Sequence, residues 1–272
     1  MKNELTWMIG GPQGSGVETA ANIFSQVYSK MGYHVFGKRE YYSNIKGEHS
    51  YFAVRISDKK IRSSVNGTNI LIAFDAETIF RHADDVLKDG IIIYDSDIEK
   101  AKVTDVFTLE NDFKQRLLEF LKSKNKQDSV RDMLELASEN GVQTFPVSFR
   151  GVLSDLSAQI DNPRLKGMVR MFNVLGVSFS LGILKCPMVL IHNAIESIFS
   201  RKKSIAEINK QAATFAYNYA TAKFIDVDYS LETKQIEPNT MLVQGHYGTS
   251  LGKMVAGLSL IHISEPTRPL YI

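Results

Sequence analysis

One cysteine, Cys186, stands among 272 residues. A lone cysteine closes no internal disulfide and holds neither an iron–sulfur cluster nor a structural zinc by itself. Within the apolar stretch LGILKCPMVLI it reads as a buried, inert thiol. An excess of charge is lacking too. The 32 Lys and Arg against 30 Asp and Glu leave a net charge of +2. Without a basic stripe, nucleic acid is not an expected partner. No second histidine or cysteine lies at metal-ligand spacing from His49, so no metal site is expected. No nucleophile–histidine–acid constellation stands out. The longest apolar stretch, FNVLGVSFSLGILKCPMVLI, has about the length of a membrane span. Its Gly, Ser, Asn, Lys and Pro predict instead a buried helix, a turn and a second apolar start, with no membrane partner. The opening MKNELTWMIGG has no signal-peptide pattern, which makes the cytoplasm the expected location.

What is present is an ordinary globular balance, 44% hydrophobic and 23% charged. Residues Leu5–Ile9 predict a buried strand. Val17–Met31 predict a helix, with Ala20, Ala21, Ile23, Phe24, Val27 and Met31 on one face, ended by Gly32. YHVFGKREYY and SYFAVRIS read as two strands joined by the turn SNIKGEH, which suits antiparallel pairing. NILIAFD and GIIIYD are uniformly apolar strands around a predicted helix AETIFRHADDVLKD, a unit suited to a sheet covered on both faces. VTDVFTL and VQTFPVSF predict further strands, separated by charged helices over 111–139. From Pro163 to Lys223 the pattern is helical, and Ile205, Ile208, Ala212, Phe215, Ala216 and Tyr219 form its last stripe. Residues 226–240 read as a linker, and LVQGHYGTSLGKMVAG as a second strand, glycine turn and helix. The fold class predicted is α/β: a covered, mostly parallel sheet with an antiparallel hairpin and a helical C-terminal half.

The chemistry-bearing candidate is IGGPQGSGVETAANIF. A strand, a glycine turn and a helix start leave free N–H groups for an anion. The nucleoside-triphosphate loop needs Lys after its last glycine, but Val17 and Glu18 follow Gly16. The dinucleotide fingerprint fails as well. Thr19 takes its third small-residue position, and Glu40, behind two bases, is a poor ribose acid. What stays open is a structural turn or a turn touching a phosphate-bearing cofactor. A second cluster, GKREYYSNIKGEHSYFAVRIS, sets Lys38, Arg39, Lys46 and Arg55 among Tyr41, Tyr42, Tyr51 and Phe52. Such a cluster suits a phosphorylated, adenine-bearing ligand, or an edge hairpin with solvated charges. Asp75 is expected to cap the helix after it, with Glu77 and Asp84 on that helix's solvated face. His49, isolated in sequence, carries little.

In order, GGPQGSGVETAANIF, GKREYYSNIKGEHSYFAVRISDKKIRS, NILIAFDAETIFRH, GIIIYD, VLGVSFSLGIL and AIESIFSRKKSIAEINKQAATFAYNYA resemble the gamma domain of 2-oxoacid:ferredoxin oxidoreductases. The form resembled is the one fused ahead of the alpha domain, and the likeness covers roughly residues 3–225. LVQGHYGTSLGKMVAG (242–257), in a segment taken from 241 to 257, is similar to the start of the thiamine diphosphate-binding alpha domain. The resemblance implies oxidative decarboxylation of a 2-oxoacid, 2-oxoglutarate or a broader set including pyruvate, with coenzyme A taking the acyl group. It implies electrons passing to ferredoxin through an iron–sulfur cluster carried by a separate beta subunit. Thiamine diphosphate and Mg2+ are implied in the full complex, none of them held by this stretch alone. It further implies that Gly11, Gln13, Gly14, Ser15 and Gly16, with Asn44, Lys46 and Gly47, face the coenzyme A phosphates, Lys46 foremost. Rival expectations are a non-catalytic docking subunit and a nucleotide-binding regulatory domain. In the family's Gly-Asn-x-Ala opening of the alpha domain, Asn-x-Ala is replaced here by His246, Tyr247 and Gly248, and its Tyr-Pro-Ile-Thr-Pro motif is expected beyond the sequence. Finally, LSLIHISEPTR (258–268) resembles the translation of a transposase sequencing-library adapter. We therefore expect 258–272 to be an artefact and the chain to be truncated near Gly257.

Overall fold

Strands β1 (Glu4–Pro12), β2 (His34–Tyr41), β3 (His49–Ser57), β4 (Thr68–Ala73), β5 (Val86–Asp95) and β6 (Gln143–Val147) form one sheet in the order β2-β3-β1-β4-β5-β6. The chain is described here from a computed structural model, over residues 4–41, 48–224, 229–236 and 240–258. β1, β4, β5 and β6 run parallel, while β3 pairs antiparallel with both β2 and β1. The predicted hairpin is there, and its second strand also zips onto the sheet's first strand over Glu4↔Ser57 to Pro12↔His49.

Helices cover both faces. On the first lie α1 (Val17–Lys30), α5 (Phe149–Gln159), α6 (Phe172–Ile183), α7 (Met188–Ile198) and α8 (Lys203–Lys223); on the second lie α2 (Ala76–His82), α3 (Asn111–Ser123) and α4 (Val130–Glu139). α1 buries Ala20, Ala21, Ile23, Phe24 and Val27, as its periodicity predicts, and ends at Gly32 with φ +84. Trp7 ties β1 to the first face. Its ring stacks on Phe24 at 4.5 Å, and its indole N–H donates to Ser180 Oγ at 2.8 Å. α6, the heart of the longest apolar stretch, is buried at every position, so it is a core helix. No helix among the described residues is long and apolar enough to cross a membrane. Cys186 sits in this core with its thiol on Tyr28 Oη at 3.4 Å, and burial pushes that thiol up to about 12, which suits the inert reading.

Several expectations are corrected. The helix predicted over 76–89 ends at His82; a 3-10 turn follows, and β5 already begins at Val86. Left-handed Asp89 (φ +63) and Gly90 make an irregular bulge there, shifting the register between Thr68↔Val86 and Ile70↔Ile91. VTDVFTL is a 3-10 turn at Val103–Asp105 rather than a strand. Asp105 accepts from the Lys102 N–H at 2.9 Å and the Val103 N–H goes to Asp128 O at 2.8 Å, so its backbone groups are spent locally. The strand predicted through Phe149 stops at Val147, because Ser148 Oγ accepts from the Gly151 N–H at 3.1 Å and caps α5. On α8 the fully buried face is Ala206, Ala212, Ala213, Ala216 and Ala220, with Ile205 exposed. Small residues win that face because α6 approaches closely: a Cβ on Gly182 would lie 2.9 Å from the Tyr217 carbonyl.

The chain forms two compact units, Met1–Ile236 and Glu237–Ile272. Part of the stretch read as a linker packs on the first. The Lys234 N–H donates to Met31 O at 2.8 Å, Tyr33 Oη donates to Glu232 O at 2.9 Å, and Lys234 Nζ reaches Asp58 at 2.9 Å. The second unit contains α9 (Gly245–Val255). The strand expected before it is absent among the described residues, and the expected glycine turn is that helix's first turn. Residues 259–272, read as adapter, lie outside the described residues.

Candidate functional site

The carboxyl ends of β1 and β4 lie side by side, and their chains leave toward opposite faces, β1 into α1 and β4 into α2. Such a divergence marks a topological switch point, the usual ligand position in open α/β folds. The glycine turn lies on one side of it. Ser15 N–H donates to Pro12 O at 2.9 Å, closing the turn, and Gly14 and Gly16 take φ of +95 and +92. Only glycine adopts that geometry without strain. Gly16 has a second constraint, since a Cβ there would lie 2.1 Å from Asn173 Nδ2 of α6. Under the turn side chains pack close against the strand backbone too. A Cβ on Gly10 would meet Thr78 at 2.5 Å, and one on Gly11 would meet Phe74 and Ser15 at 3.1 Å.

Gly16 is the N-cap of α1 and makes no side-chain cap, so no side chain of its own satisfies the first-turn N–H groups. Ser15 Oγ is buried there without a hydrogen-bond partner among the described residues. Both are what an anion-accepting turn presents. Charge at the turn is balanced by Arg39 of β2, whose guanidinium donates to Glu18 Oε2 at 2.6 Å and to Gln13 Oε1 at 3.4 Å. On the other side of the switch point, Asp75 caps α2, accepting from the Thr78 N–H at 2.9 Å and its hydroxyl at 2.6 Å. Burial raises the Asp75 carboxyl above its ordinary value, against those two hydrogen bonds.

The structure thus brings Gln13, Gly14, Ser15 and Gly16 together in one turn, with Gly11 just before it in β1. Asn44, Lys46 and Gly47 lie outside the described residues. Glu48, which follows them, accepts from the Gln13 N–H at 2.6 Å, so the two predicted segments meet at the glycine turn. The other bases of the second cluster already face carboxylates: Lys38 on Glu40, Arg39 on Glu18, and Arg55 on Glu4.

Beneath this edge, on the second face, lies a polar group that periodicity did not disclose. His49 and His82, 1% and 5% exposed, face each other Nε2 to Nε2 at 3.1 Å. His82 Nδ1 reaches Asp85 at 3.1 Å, and the Tyr51 ring packs on His82 at 4.4 Å, its hydroxyl donating to Glu40 at 2.7 Å. Burial first, then the neighbouring His82 and Arg81, hold His49 down to about 3. Glu77, expected on a solvated face, is 4% exposed. Arg81 binds it at 2.7 Å, and Thr108 Oγ1 donates to it. The one signal for Glu77 was its four-residue spacing to Arg81. Among the described residues no three His, Cys, Asp or Glu converge to hold a metal.

A model of the family "Pyruvate ferredoxin/flavodoxin oxidoreductase" matches residues 6–219. The alpha subunit of a 2-oxoacid:ferredoxin oxidoreductase from Sulfurisphaera tokodaii is 35% identical over 254 residues, 93% of this chain and 39% of that protein. The corresponding subunit from Saccharolobus solfataricus is 36% identical over 255 residues, again 93% and 39%. The chain therefore spans about two fifths of the length of these relatives. Among solved structures, a 2-oxoglutarate:ferredoxin oxidoreductase from Magnetococcus marinus, with 2-oxoglutarate, coenzyme A and succinyl-CoA bound, shares the fold at TM-score 0.67 and 16% identity over 95% of this chain and 38% of its own. The gamma subunit of a keto/oxoacid ferredoxin oxidoreductase from Geobacter sulfurreducens shares it at TM-score 0.54 and 16% identity over 80% of this chain and 97% of its own.

Proposed function

The chain belongs to the pyruvate ferredoxin/flavodoxin oxidoreductase family, and from that premise we propose that it is the N-terminal part of a 2-oxoacid:ferredoxin oxidoreductase alpha subunit. The complete enzyme would convert a 2-oxoacid, 2-oxoglutarate or a broader set, and coenzyme A to acyl-CoA and CO2, passing electrons to ferredoxin. The single observation that carries this is a family match running through every strand and on to residue 219, among relatives that are alpha subunits. Residues up to about 225 are the gamma domain in this reading, and 241–257 open the alpha domain. The cytoplasm is its place.

Coenzyme A is the ligand proposed for this domain. Its phosphates would meet the uncapped start of α1, the Ser15 hydroxyl and the backbone of Gly14 and Gly16, with Lys46 supplying the cationic contact. Arg39 neutralises Glu18, which lowers the local repulsion an incoming phosphate meets. The donor set does not fit the other groups. Cys186 is one buried thiol and no metal-binding trio converges among the described residues, so cluster, Mg2+ and thiamine diphosphate are assigned to the rest of the complex and its beta subunit. Thiamine diphosphate there supplies the carbanion chemistry. The test is coenzyme A titration of the full-length alpha subunit with its beta partner, with and without Lys46→Ala. A loss of about one charge-assisted contact, roughly 1.5–3 kcal/mol, is expected. Unchanged affinity would remove Lys46 and its turn from the site.

A further inference from the structure

The buried histidine pair has no part in the reading above, yet it is wired to the same turn. His49 is the first residue of β3 and sits in register with Pro12, the last of β1. One residue before it, the Glu48 carbonyl accepts from the Gln13 N–H at 2.6 Å. One side chain away, His82 belongs to α2, whose first turn packs under Gly10 through Thr78. The direction of the hydrogen bonds follows from the donor inventory. A carboxylate only accepts, so His82 Nδ1 carries its proton toward Asp85; with His82 taken as the neutral imidazole, its Nε2 accepts from His49 Nε2. The chain of contacts thus runs from Asp85, whose side chain is 54% exposed, through two imidazoles, to the start of β3. Around the pair stand Glu40 from β2, Tyr51 from β3, Arg81 from α2 and Asp75 at its cap.

We propose that His49, His82 and Asp85 form a positioning set for the glycine turn: by pinning the start of β3 to α2 they fix the Glu48 carbonyl that holds the Gln13 amide. Removing the set would free the turn to open locally without unfolding the sheet, since the pairing of β3 with β1 continues through to Glu4↔Ser57. The coenzyme A consequence, and it alone, rests on the function proposed above.

Two readouts on the full-length alpha subunit in complex with its beta partner separate the two ideas. The first is amide hydrogen exchange at Gln13 and Ser15, without any ligand. His82→Leu removes the acceptor for His49, and exchange at Gln13 is expected to rise about tenfold, while amides at the centre of β1 stay protected. His82→Gln, whose amide oxygen can still accept, is expected to restore protection to within about twofold of the parent. Asp85→Asn, at an exposed position that does not threaten folding, is expected to give a smaller rise at the same amide. The second readout is steady-state kinetics: His82→Leu should raise KM for coenzyme A about fivefold, leaving KM for the 2-oxoacid and kcat unchanged. Unchanged exchange at Gln13 in both His82→Leu and Asp85→Asn overturns the positioning set. Raised exchange with an unchanged KM for coenzyme A supports the set and overturns the coenzyme assignment of the turn.

Discussion

The two faces of the sheet are held by different physics. The first face, over α1, α6 and α8, is closed by apolar stacking and by alanine and glycine at the tightest crossings. Among its buried polar groups, the Trp7 indole bonds Ser180 and the Cys186 thiol bonds Tyr28, and all four are neutral. Burial moves the Tyr28 hydroxyl and the Cys186 thiol further from ionisation. The second face, over α2, α3 and α4, has its own apolar cluster, but beside it Glu77, Arg81, His49 and His82 are all buried or nearly so. One face therefore depends on volume and shape, the other also on charge and protonation. The candidate ligand turn lies at the edge where the two meet.

The comparison breaks most visibly at Trp7. Trp7→Ala removes the stack on Phe24 and the bond to Ser180, and should cost about 3–5 kcal/mol, read as a lower urea midpoint. A loss below about 1 kcal/mol would mean that the first face repacks freely. Next is Arg81→Met. It leaves the Glu77 carboxylate buried without its cation, though Glu110 on the other side of Arg81 is half in water. A loss of about 3 kcal/mol is expected, and Glu77→Gln added to Arg81→Met should recover much of it. An additive double variant would contradict the ion-pair account. The smallest effect separates the faces by pH. His49 is held at about 3 in the fold against 6.5 ordinarily. Between those values the unfolded chain binds the extra proton, so stability falls as pH drops from about 6.5 toward 3, by at most about 1.4 kcal/mol per pH unit. Urea midpoints measured from pH 7 to 5 should show that slope, and His49→Leu should flatten it. Trp7→Phe should leave the slope as it is.

The same contrast explains what the sequence disclosed. Periodicity reports apolar faces, so the buried face of α1 and the apolar centres of β4 and β5 were legible, though β5 begins four residues before its apolar run. The glycine turn was legible because its conformation restricts residue type. Periodicity is silent about which polar residues are buried, since Glu77 and His49 look solvated until Arg81 and His82 are brought to them from another turn or another element. Propensity misled where local polar groups spend the backbone's hydrogen bonds. Asp105 and Ser148 convert β-branched or aromatic stretches into a turn and a helix start. The stripe on α8 was placed about one residue off because close packing favours alanine over the larger side chains beside it. For the site, the glycines were found and the buttress beneath them was not.

The hydrogen bond from Trp7 to Ser180 spans 173 residues of sequence. A chain made from its N-terminus at about 5–20 residues per second exposes the apolar side of β1 on the order of ten seconds before α6 exists to cover it. The alanine face of α8 that closes over α6 comes later still. β1 is thus shielded in two steps, by α1 as soon as Phe24 is made and by α6 only much later, and in that interval its remaining apolar area is a surface for holding chaperones.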